Sequence, residues 1–402
     1  MVGMLAACND NNEVKPPSLP QQVWDPGVIE LSAGQKDMVK QSNAFALRTA
    51  LQIHSRHEGE SLFFSPISLG CYLGMAANGA DEATEGKIRA VLGFDETATT
   101  EVVNAYYRTL MTGAEGLDSR CTVETANAFF YSLAKTPLQN FSGQLQQNYQ
   151  AQLEAVDMDS PAAARRINQW AGEKTHGMID RIVPEGEPLR CNALLCNAVY
   201  MDAPWQRPFD ESKTTKEIFT KENGEQEEVW MMHDVRGMRY LETEDYQAAG
   251  LLYGNGSWNL VMVLPKEHSS VKDFLEKQTW PPLKGMLRKN WEVTLTMPKF
   301  KVNSQFLDLA DLLFGTDNTG DLSGVPGSFP NILEQENVQV RLLQTAAIEV
   351  SEKGTKASAV TGGMSWASPP PEKVEFNANR PFLYAIVEHS TGLIFHMGVY
   401  GG

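Results

Sequence analysis

One segment near the C-terminus constrains the fold more than any other, because its residues suit two structures at once. The segment EKGTKASAVTGGMSWASPPPE, residues 352–372, lies between two stretches that predict strands. A β-strand points alternate side chains to opposite faces of a sheet. From residue 355 onward, one alternate set is small throughout and the other set holds the charge and the bulk. The small set is Thr355, Ala357, Ala359, Thr361, Gly363 and Ser365, and the other set is Lys356, Ser358, Val360, Gly362, Met364 and Trp366.

Other residues of this segment favour an exposed loop. Gly362 and Gly363 are adjacent and three prolines follow at 369–371, a composition typical of turns and loops. Pattern alone therefore leaves two interpretations open. The segment is either a strand for the middle of a sheet, with one face close to a helix layer, or a surface loop whose alternation is accidental.

The remainder of the chain predicts an α+β fold. Ser65-Pro66 and Ser160-Pro161 each place a capping serine before a proline at the first helical position. Apolar or alternating stretches predict strands, and they do not form repeating βα units. No linker follows residue 30, so one large domain over 31–402 is predicted. Helices are predicted at 42–57, 65–79 and 160–177, strands at 122–132, 189–201, 293–302 and 338–351, and a hairpin at 381–400.

The charge of the chain bears on its partners. With 34 Lys and Arg against 50 Asp and Glu, the formal net charge is −16. Phosphate backbones are bound by clustered Lys and Arg, and no basic cluster offsets the acidic excess here. We therefore expect no nucleic-acid partner.

The N-terminus resembles a bacterial lipoprotein signal. A short apolar run ends at Cys8 and gives way at once to polar, proline-containing sequence. The resemblance implies a lipid on Cys8, with residues 1–8 a signal remnant and 9–30 a flexible tether. The folded body would then be membrane-anchored through that lipid, or secreted, outside the cytoplasm. No basic residue precedes the apolar run, so a plain N-terminal tail is the alternative.

No motif for ordinary enzyme chemistry is found. The seven histidines form no H-E-x-x-H arrangement, and no G-x-S-x-G elbow is present. A Gly-Lys pair is followed by Ile88, where a phosphate loop needs Ser or Thr. The cysteines fit no zinc pattern, so we expect no metal. Because no catalytic or phosphate-binding motif is found, we also expect no cofactor and no enzymatic activity. The cysteines expected to be buried free thiols are Cys71, Cys121, Cys191 and Cys196.

A series of motifs, in order along the chain, resembles the serpin family. EKGTKASA at 352–359 is similar to the hinge of that family's reactive-centre loop, and TGLIFHMGVY at 391–400 to its C-terminal strand. The resemblance spans roughly residues 40 to 400. It implies a large mixed sheet with further sheets, a helical layer and an exposed reactive-centre loop. The other matching motifs are LFFSPISLGCYLGMAANGADEATEGKIRAVLGF at 62–94, CNAVYMDAPWQRPFDESKT at 196–214, MPKFKV at 297–302, DLSGV at 321–325 and FNANRPF at 376–382.

The resemblance implies a protease inhibitor that works as a trap. A target serine or cysteine protease attacks the loop and forms an acyl-enzyme, and the hinge side of the cut loop then inserts into the large sheet. If about a dozen residues gain ladder bonds at ~0.5–1.5 kcal/mol each, insertion yields of order 10 kcal/mol, as much as a typical domain's stability. The uncut fold is then expected to be held by a kinetic barrier.

The resemblance also implies three groups of site residues. Small residues on the inward face of the hinge would keep insertion fast, whereas Lys356 falls on the outward face and is tolerable there. Gln344 stands where the family usually has a histidine, and an amide can still donate and accept hydrogen bonds. The hinge comprises Glu352, Gly354, Thr355, Lys356, Ala357, Ser358 and Ala359; the shutter comprises Ser65, Ser68, Asn197 and Gln344; the breach, where insertion begins, comprises Trp205 with Glu352.

Two counts along the loop place the reactive bond differently. Counting forward from Gly354 by the family's spacing puts Ser368 before the bond, and counting back from Phe376 puts Ala367 there. We expect Ala367-Ser368, because Ser368-Pro369 would be a poor cleavage site. Alanine before the bond suits the shallow pocket of an elastase-like protease.

Other bonds and functions remain open. Trp366-Ala367 would suit a chymotrypsin-like enzyme, and Met364-Ser365 is a third choice. The expected function is covalent suicide inhibition of a serine or cysteine protease by a monomer without a cofactor. The alternative is a non-inhibitory serpin that acts as a binding protein or as a protease substrate.

Overall fold

The computed structural model describes residues 24–189, 191–277, 280, 286, 291–306, 308–315, 324–342, 344–356 and 372–402. In these ranges the chain forms eight α-helices, one short 3-10 helix and fifteen strands. The strands build two sheets, each containing parallel and antiparallel pairs. The predicted α+β class is therefore confirmed.

Five of the eight helices begin after a residue whose side chain caps the first turn. Ser65 and Ser160 cap α2 and α6, each with a proline in the first turn, as predicted. Helix α1 starts at Ala33, earlier than predicted, because Ser32 and Gln35 form a reciprocal capping box there. The helices are α1 Ala33–Arg56, α2 Pro66–Ala77, α3 Glu82–Leu92, α4 Thr100–Ala114, α5 Gln139–Tyr149, α6 Pro161–Lys174, α7 Val271–Glu276 and α8 Leu309–Phe314, with the 3-10 helix at Glu211–Lys213.

The strands fall into sheets of six and nine. The six-stranded sheet has the order β10-β11-β12-β4-β2-β3, and the nine-stranded sheet the order β1-β15-β14-β8-β7-β6-β9-β13, with β5 beside β6. The strands are β1 Leu62–Phe64, β2 Thr122–Ser132, β3 Gln152–Val156, β4 Ala193–Pro204, β5 Thr215–Thr220, β6 Gln226–Glu242, β7 Tyr246–Tyr253, β8 Trp258–Pro265, β9 Trp291–Pro298, β10 Phe300–Phe306, β11 Gln344–Ser351, β12 Gly354–Thr355, β13 Glu372–Asn377, β14 Phe382–Glu388 and β15 Ile394–Tyr400.

Three strand predictions differ from the structure. The strands predicted at 189–201 and 338–351 begin later, at Ala193 and Gln344, and a third predicted strand is divided. The alternating stretch 293–302 belongs to two strands, because β9 ends at Pro298 and β10 begins at Phe300. Proline has no N–H with which to continue a ladder, so the chain crosses between sheets at this point. Strand β9 pairs within the nine-stranded sheet and β10 within the six-stranded sheet.

The six-stranded sheet is covered on both faces. Helix α2 packs against β4 and β15, between the two sheets, and all of its residues are buried. Helix α6 covers the other face, where Trp170 packs edge-on against Phe130 in a separate apolar cluster with Ile167 and Cys196. Burial of such large side chains stabilises the fold by about 1.5–3 kcal/mol each. Among the described residues, no helix combines the length and apolar character that crossing a membrane requires.

Residues 24–31 lie on the folded body. The N–H of Gly27 donates to Ser257 Oγ at 2.8 Å, and the N–H of Ile29 donates to Ser390 Oγ at 3.0 Å. The Ile29 side chain is buried in the core. The last residues of the predicted 9–30 tether are therefore part of the domain surface.

Candidate functional site

A two-residue turn after β11 carries the first part of the predicted hinge. Ser351 pairs with Gly354, so the chain reverses direction at Glu352 and Lys353. Gly354 has a φ of +145°, and a Cβ on it would lie 2.2 Å from the backbone oxygen of Ala203. Glycine is therefore required here, because β12 runs directly against β4.

Thr355 lies inside the six-stranded sheet. It pairs with Val350 of β11 on one side and with Ala203 of β4 on the other. Its side chain is 2% exposed, and its hydroxyl shares a 2.6 Å hydrogen bond with the hydroxyl of Tyr253. The position predicted to face inward therefore does so, and it has room for a small side chain.

Trp205, the predicted breach residue, holds the turn at the end of β4. Its Nε1 donates to the carbonyl of Ser351 at 2.8 Å, and its backbone N–H donates to the carbonyl of Lys353 at 2.9 Å. Its ring stacks on Tyr253, with ring centroids 4.3 Å apart. The same tyrosine thus contacts both Trp205 and the hinge, which links the breach to Thr355.

Glu352 is buried beside a cation. Its carboxylate lies 3.0 Å from Nζ of Lys299 and accepts a 3.0 Å hydrogen bond from Thr214. Burial opposes the charge, but its own backbone N–H, Lys299 and Thr214 outweigh burial and lower the pKa of the carboxyl. The ionised Glu352 therefore fastens the hinge turn to the residue between β9 and β10 and to the segment after the 3-10 helix.

Gln344 at the start of β11 is bound to the N-cap of α2. Its Oε1 accepts from the backbone N–H of Ser65 at 3.0 Å, and its Nε2 donates to the backbone carbonyl of Ser65 at 3.1 Å. The amide uses both its donor and its acceptor, which an imidazole could do only in one tautomer. The Ser65 hydroxyl donates to the carbonyl of Phe395 and accepts from the N–H of Ser68.

Asn197 completes the predicted shutter and extends it across β2. Its Oδ1 accepts from the hydroxyl of Ser68, and its Nδ2 donates to Asn127 Oδ1 at 2.6 Å. Asn127 in turn donates to the backbone carbonyl of Tyr149 at 2.8 Å. The structure thus brings the four predicted shutter residues together through the first turn of α2, and it adds Asn127.

Several site residues were missed from the sequence. Asn127 had a signal, because an amide in an otherwise apolar strand must find a hydrogen-bond partner. Lys299 and Thr214 lie in the motifs at 297–302 and 196–214, but no local pattern places either of them, or Tyr253, beside the hinge.

The thiols and acidic groups form no further reactive centre in the described part of the chain. Cys71 and Cys196 are buried as predicted, but Cys121 and Cys191 are only half-buried. Burial raises the pKa of all four thiols, so they are protonated and poorly nucleophilic. Within the described ranges, no group of His, Cys, Asp and Glu could hold a metal ion.

The remaining predicted site residues lie outside the described residues. They are the hinge residues Ala357, Ser358 and Ala359, the reactive-bond candidates Met364, Ser365, Trp366, Ala367 and Ser368, and the lipid-anchor candidate Cys8.

Comparison with known proteins identifies the family to which this fold belongs. A family model described as Serpin (serine protease inhibitor) matches residues 40–400. Serpin B3 of Homo sapiens is 28% identical over 393 residues, covering 90% of this chain and 98% of that protein. Iripin-3 of Ixodes ricinus is 30% identical over 359 residues, covering 85% of this chain and 88% of that protein.

A solved structure of thyroxine-binding globulin in complex with thyroxine has a TM-score of 0.78 at 23% identity. It covers 91% of this chain and 99% of that chain, which shows a shared fold. The family match over nine-tenths of the sequence, together with the hinge turn between β11 and β4, leads to one conclusion: this chain belongs to the serpin family.

Proposed function

We propose that this protein is a covalent suicide inhibitor of a serine protease, and that it acts by inserting its cut loop into the six-stranded sheet. One observation carries the proposal. Two residues of the hinge, Gly354 and Thr355, already occupy a strand position between β11 and β4. The remainder of the hinge would continue into the same position.

The edges next to this position supply the energy. In the described part of the chain β4 pairs with β2 along its length, but on its other side it pairs only at residues 203–204. Strand β11 pairs with β10 along its length and with β12 only at residues 350–351. A strand added below Thr355 would gain ladder bonds to both edges, at ~0.5–1.5 kcal/mol each.

The energy of insertion is useful because insertion would follow formation of the acyl-enzyme. The protease's serine would attack the carbonyl carbon of the residue before the reactive bond, and the peptide nitrogen would leave with a proton. The inhibitor then remains joined to the serine as an ester. Insertion must be faster than attack of water on that ester, so the small inward side chains of the hinge matter for the rate.

The target class follows from the residue before the bond. We place the bond at Ala367-Ser368, which suits an elastase-like protease, with Trp366-Ala367 and Met364-Ser365 as alternatives. We also propose that the protein acts as a monomer outside the cytoplasm, held to a membrane through a lipid on Cys8 or secreted.

A binding function is the second candidate, because one structural relative is thyroxine-binding globulin in complex with thyroxine. In that case the hinge would be cut without forming a covalent product.

Incubation with elastase-like, chymotrypsin-like and trypsin-like proteases tests the proposal. An inhibitor gives a covalent complex that survives denaturing electrophoresis, whereas a binding protein or substrate is cleaved without one. A protease whose active serine is blocked is the control and should give no complex. Cleavage by every protease with no complex from any would contradict the proposal.

The reactive bond is tested by changing its specificity. Ala367→Arg should lose inhibition of the elastase-like enzyme and gain inhibition of the trypsin-like one, because a cationic side chain needs an acidic pocket. Trp366→Arg and Met364→Arg are the matched variants for the other two bonds. The released C-terminal fragment of the unaltered protein should begin at Ser368 by mass.

A further inference from the structure

Lys356 marks the point at which the hinge leaves the six-stranded sheet. Its backbone N–H donates to the carbonyl of Glu349 at 3.1 Å, which continues the ladder with β11 by one residue beyond Thr355. Its φ is +50°, a left-handed conformation that is unfavourable for a non-glycine residue. The backbone therefore turns away before it can pair with β4. Favourable contacts of the Lys356 side chain must offset the cost of this backbone conformation.

The side chain of Lys356 lies on a surface formed by an aromatic ring and a backbone carbonyl. Its ammonium is 5.1 Å from the ring centroid of Tyr200 on β4 and donates to the carbonyl of His176 at 3.4 Å. His176 follows the end of α6, where carbonyl groups attract cations. The His176 ring is itself fixed, because it packs on Tyr200 at 4.4 Å and lies 2.9 Å from the carboxylate of Glu124.

The charge of this surface complements a lysine. Glu124 on β2 and Asp202 on β4 are both acidic. Tyr200 lies directly opposite Glu124 and two residues from Asp202 on the same face of the sheet. Burial raises the pKa of the Asp202 carboxyl, and the nearby Lys356 ammonium opposes that rise. A cation at position 356 therefore relieves an unfavourable carboxylate as well as contacting the ring.

The register keeps this surface beside Lys356 during insertion. Thr355 pairs with Ala203, so an extended Lys356 would lie opposite Asp202. Its side chain would then share a face with Asp202 and, two residues along, with Tyr200. The contacts made by the turned-out lysine can be exchanged for contacts made by the inserted one without releasing the ammonium to water.

Resting on the proposed inhibitory function, we propose that Lys356 is a positioning residue whose ammonium is held by Tyr200, Asp202 and the end of α6. It holds the hinge half-inserted before cleavage and guides the next residues into the position between β4 and β11. In this protein, the outward-facing hinge residue Lys356 therefore guides insertion of the loop.

The test measures the ratio of cleaved inhibitor to covalent complex with an excess of inhibitor. Lys356→Ala should raise the ratio about fivefold, which corresponds to about 1 kcal/mol. Lys356→Glu should raise it about tenfold or more, because its carboxylate faces Glu124 and Asp202. Lys356→Arg should stay within about twofold of the unaltered protein, since arginine also binds aromatic rings and carbonyls.

Two controls separate this role from general destabilisation. Lys216 lies 5.6 Å from the Trp230 ring in the nine-stranded sheet, and Lys216→Ala should leave the ratio unchanged. Tyr200→Leu should raise the ratio alone but add little to Lys356→Ala, because the two residues act through one contact. A ratio unchanged by Lys356→Ala, or not restored by Lys356→Arg, would overturn the proposal.

A second readout needs no protease. Hydrogen exchange of the Lys356 amide, bound to Glu349, should be faster in Lys356→Glu and normal in Lys356→Arg. If the unaltered protein forms no complex with any protease, the inhibitory function fails, and this exchange experiment alone decides whether Lys356 holds the hinge.

Discussion

The two sheets of this protein are paired to different extents around their central strands. In the nine-stranded sheet, β8 pairs along its whole length with β7 on one side and over most of it with β14 on the other. In the six-stranded sheet, β4 pairs fully with β2, but among the described residues its other neighbour is the two-residue β12. Within the described ranges, β8 is therefore paired on both sides, whereas the position between β4 and β11 is filled only at its end.

This difference separates stability from function. Nearly all side chains of β8, β14 and β15 are buried, so the nine-stranded sheet holds the fold together. In the part of the chain that the structure describes, β4 and β11 pair on their facing edges only with the two residues of β12. The predicted hinge lies at one end of these edges, and Gln344 of the predicted shutter lies at the start of β11. Under the proposed mechanism, the six-stranded sheet would supply energy for loop insertion, while the nine-stranded sheet would stabilise the native structure.

The largest effect is expected from a charge placed in the partly filled position. Thr355→Arg puts a guanidinium at a site that is 2% exposed, which costs several kcal/mol, and each 1.4 kcal/mol is about tenfold. The covalent complex should fall at least tenfold while cleavage continues, as measured on denaturing gels. Thr215→Arg, at an exposed threonine of β5, is the control and should inhibit normally.

In the nine-stranded sheet, the next largest effect is expected from acid, which should lower the free energy of unfolding. His396 on β15 is buried and stacks on Phe63 at 5.4 Å, and burial lowers the pKa of its ring to about 4. Because the folded pKa lies below the unfolded one, this contribution to the free energy of unfolding is full above pH 6.5. It is lost as the pH falls toward 4, by about 3 kcal/mol.

Denaturant unfolding at several pH values measures this loss. His396→Leu should remove that part of the slope between pH 6.5 and 4, whatever its own stability at pH 7. His268→Leu, at a mostly exposed histidine, should keep the full slope. An identical slope in the His396 variant would show that His396 in the nine-stranded sheet does not cause the loss of stability at low pH.

A smaller effect is expected at the shutter. Gln344→Leu leaves both the N–H and the carbonyl of Ser65 without their side-chain partner, at a net cost of about 2 kcal/mol. Chemical denaturation should report that loss, and spontaneous inactivation on storage should accelerate. Gln305→Leu, on the exposed face of β10, should change neither quantity.

Local signals in the sequence predicted several features of the two sheets and their helices. The Ser-Pro caps of α2 and α6 and the bounds of β2 were predicted correctly, because each depends on neighbouring residues. The alternation after residue 354 correctly predicted that Thr355 faces inward. The division of 293–302 between two sheets was not predicted, although the apolar residues change there from odd positions, 293, 295 and 297, to even positions, 300 and 302.

Tertiary contacts set the limit of such predictions. Whether Gly354 and Thr355 lie inside a sheet depends on how far β4 and β11 stand apart, and no local pattern reports that. The same holds for Tyr253 and Lys299, which reach the hinge from β7 and from the crossing between sheets.

The central claim is that the intact protein is less stable than the product of cutting its loop. Thermal unfolding of intact and loop-nicked protein, under the same conditions, tests this directly. A gain of order 10 kcal/mol should raise the Tm of the nicked form by about 10 °C or more. Equal Tm values for the two forms would contradict the account, because insertion would then release no energy with which to trap a protease.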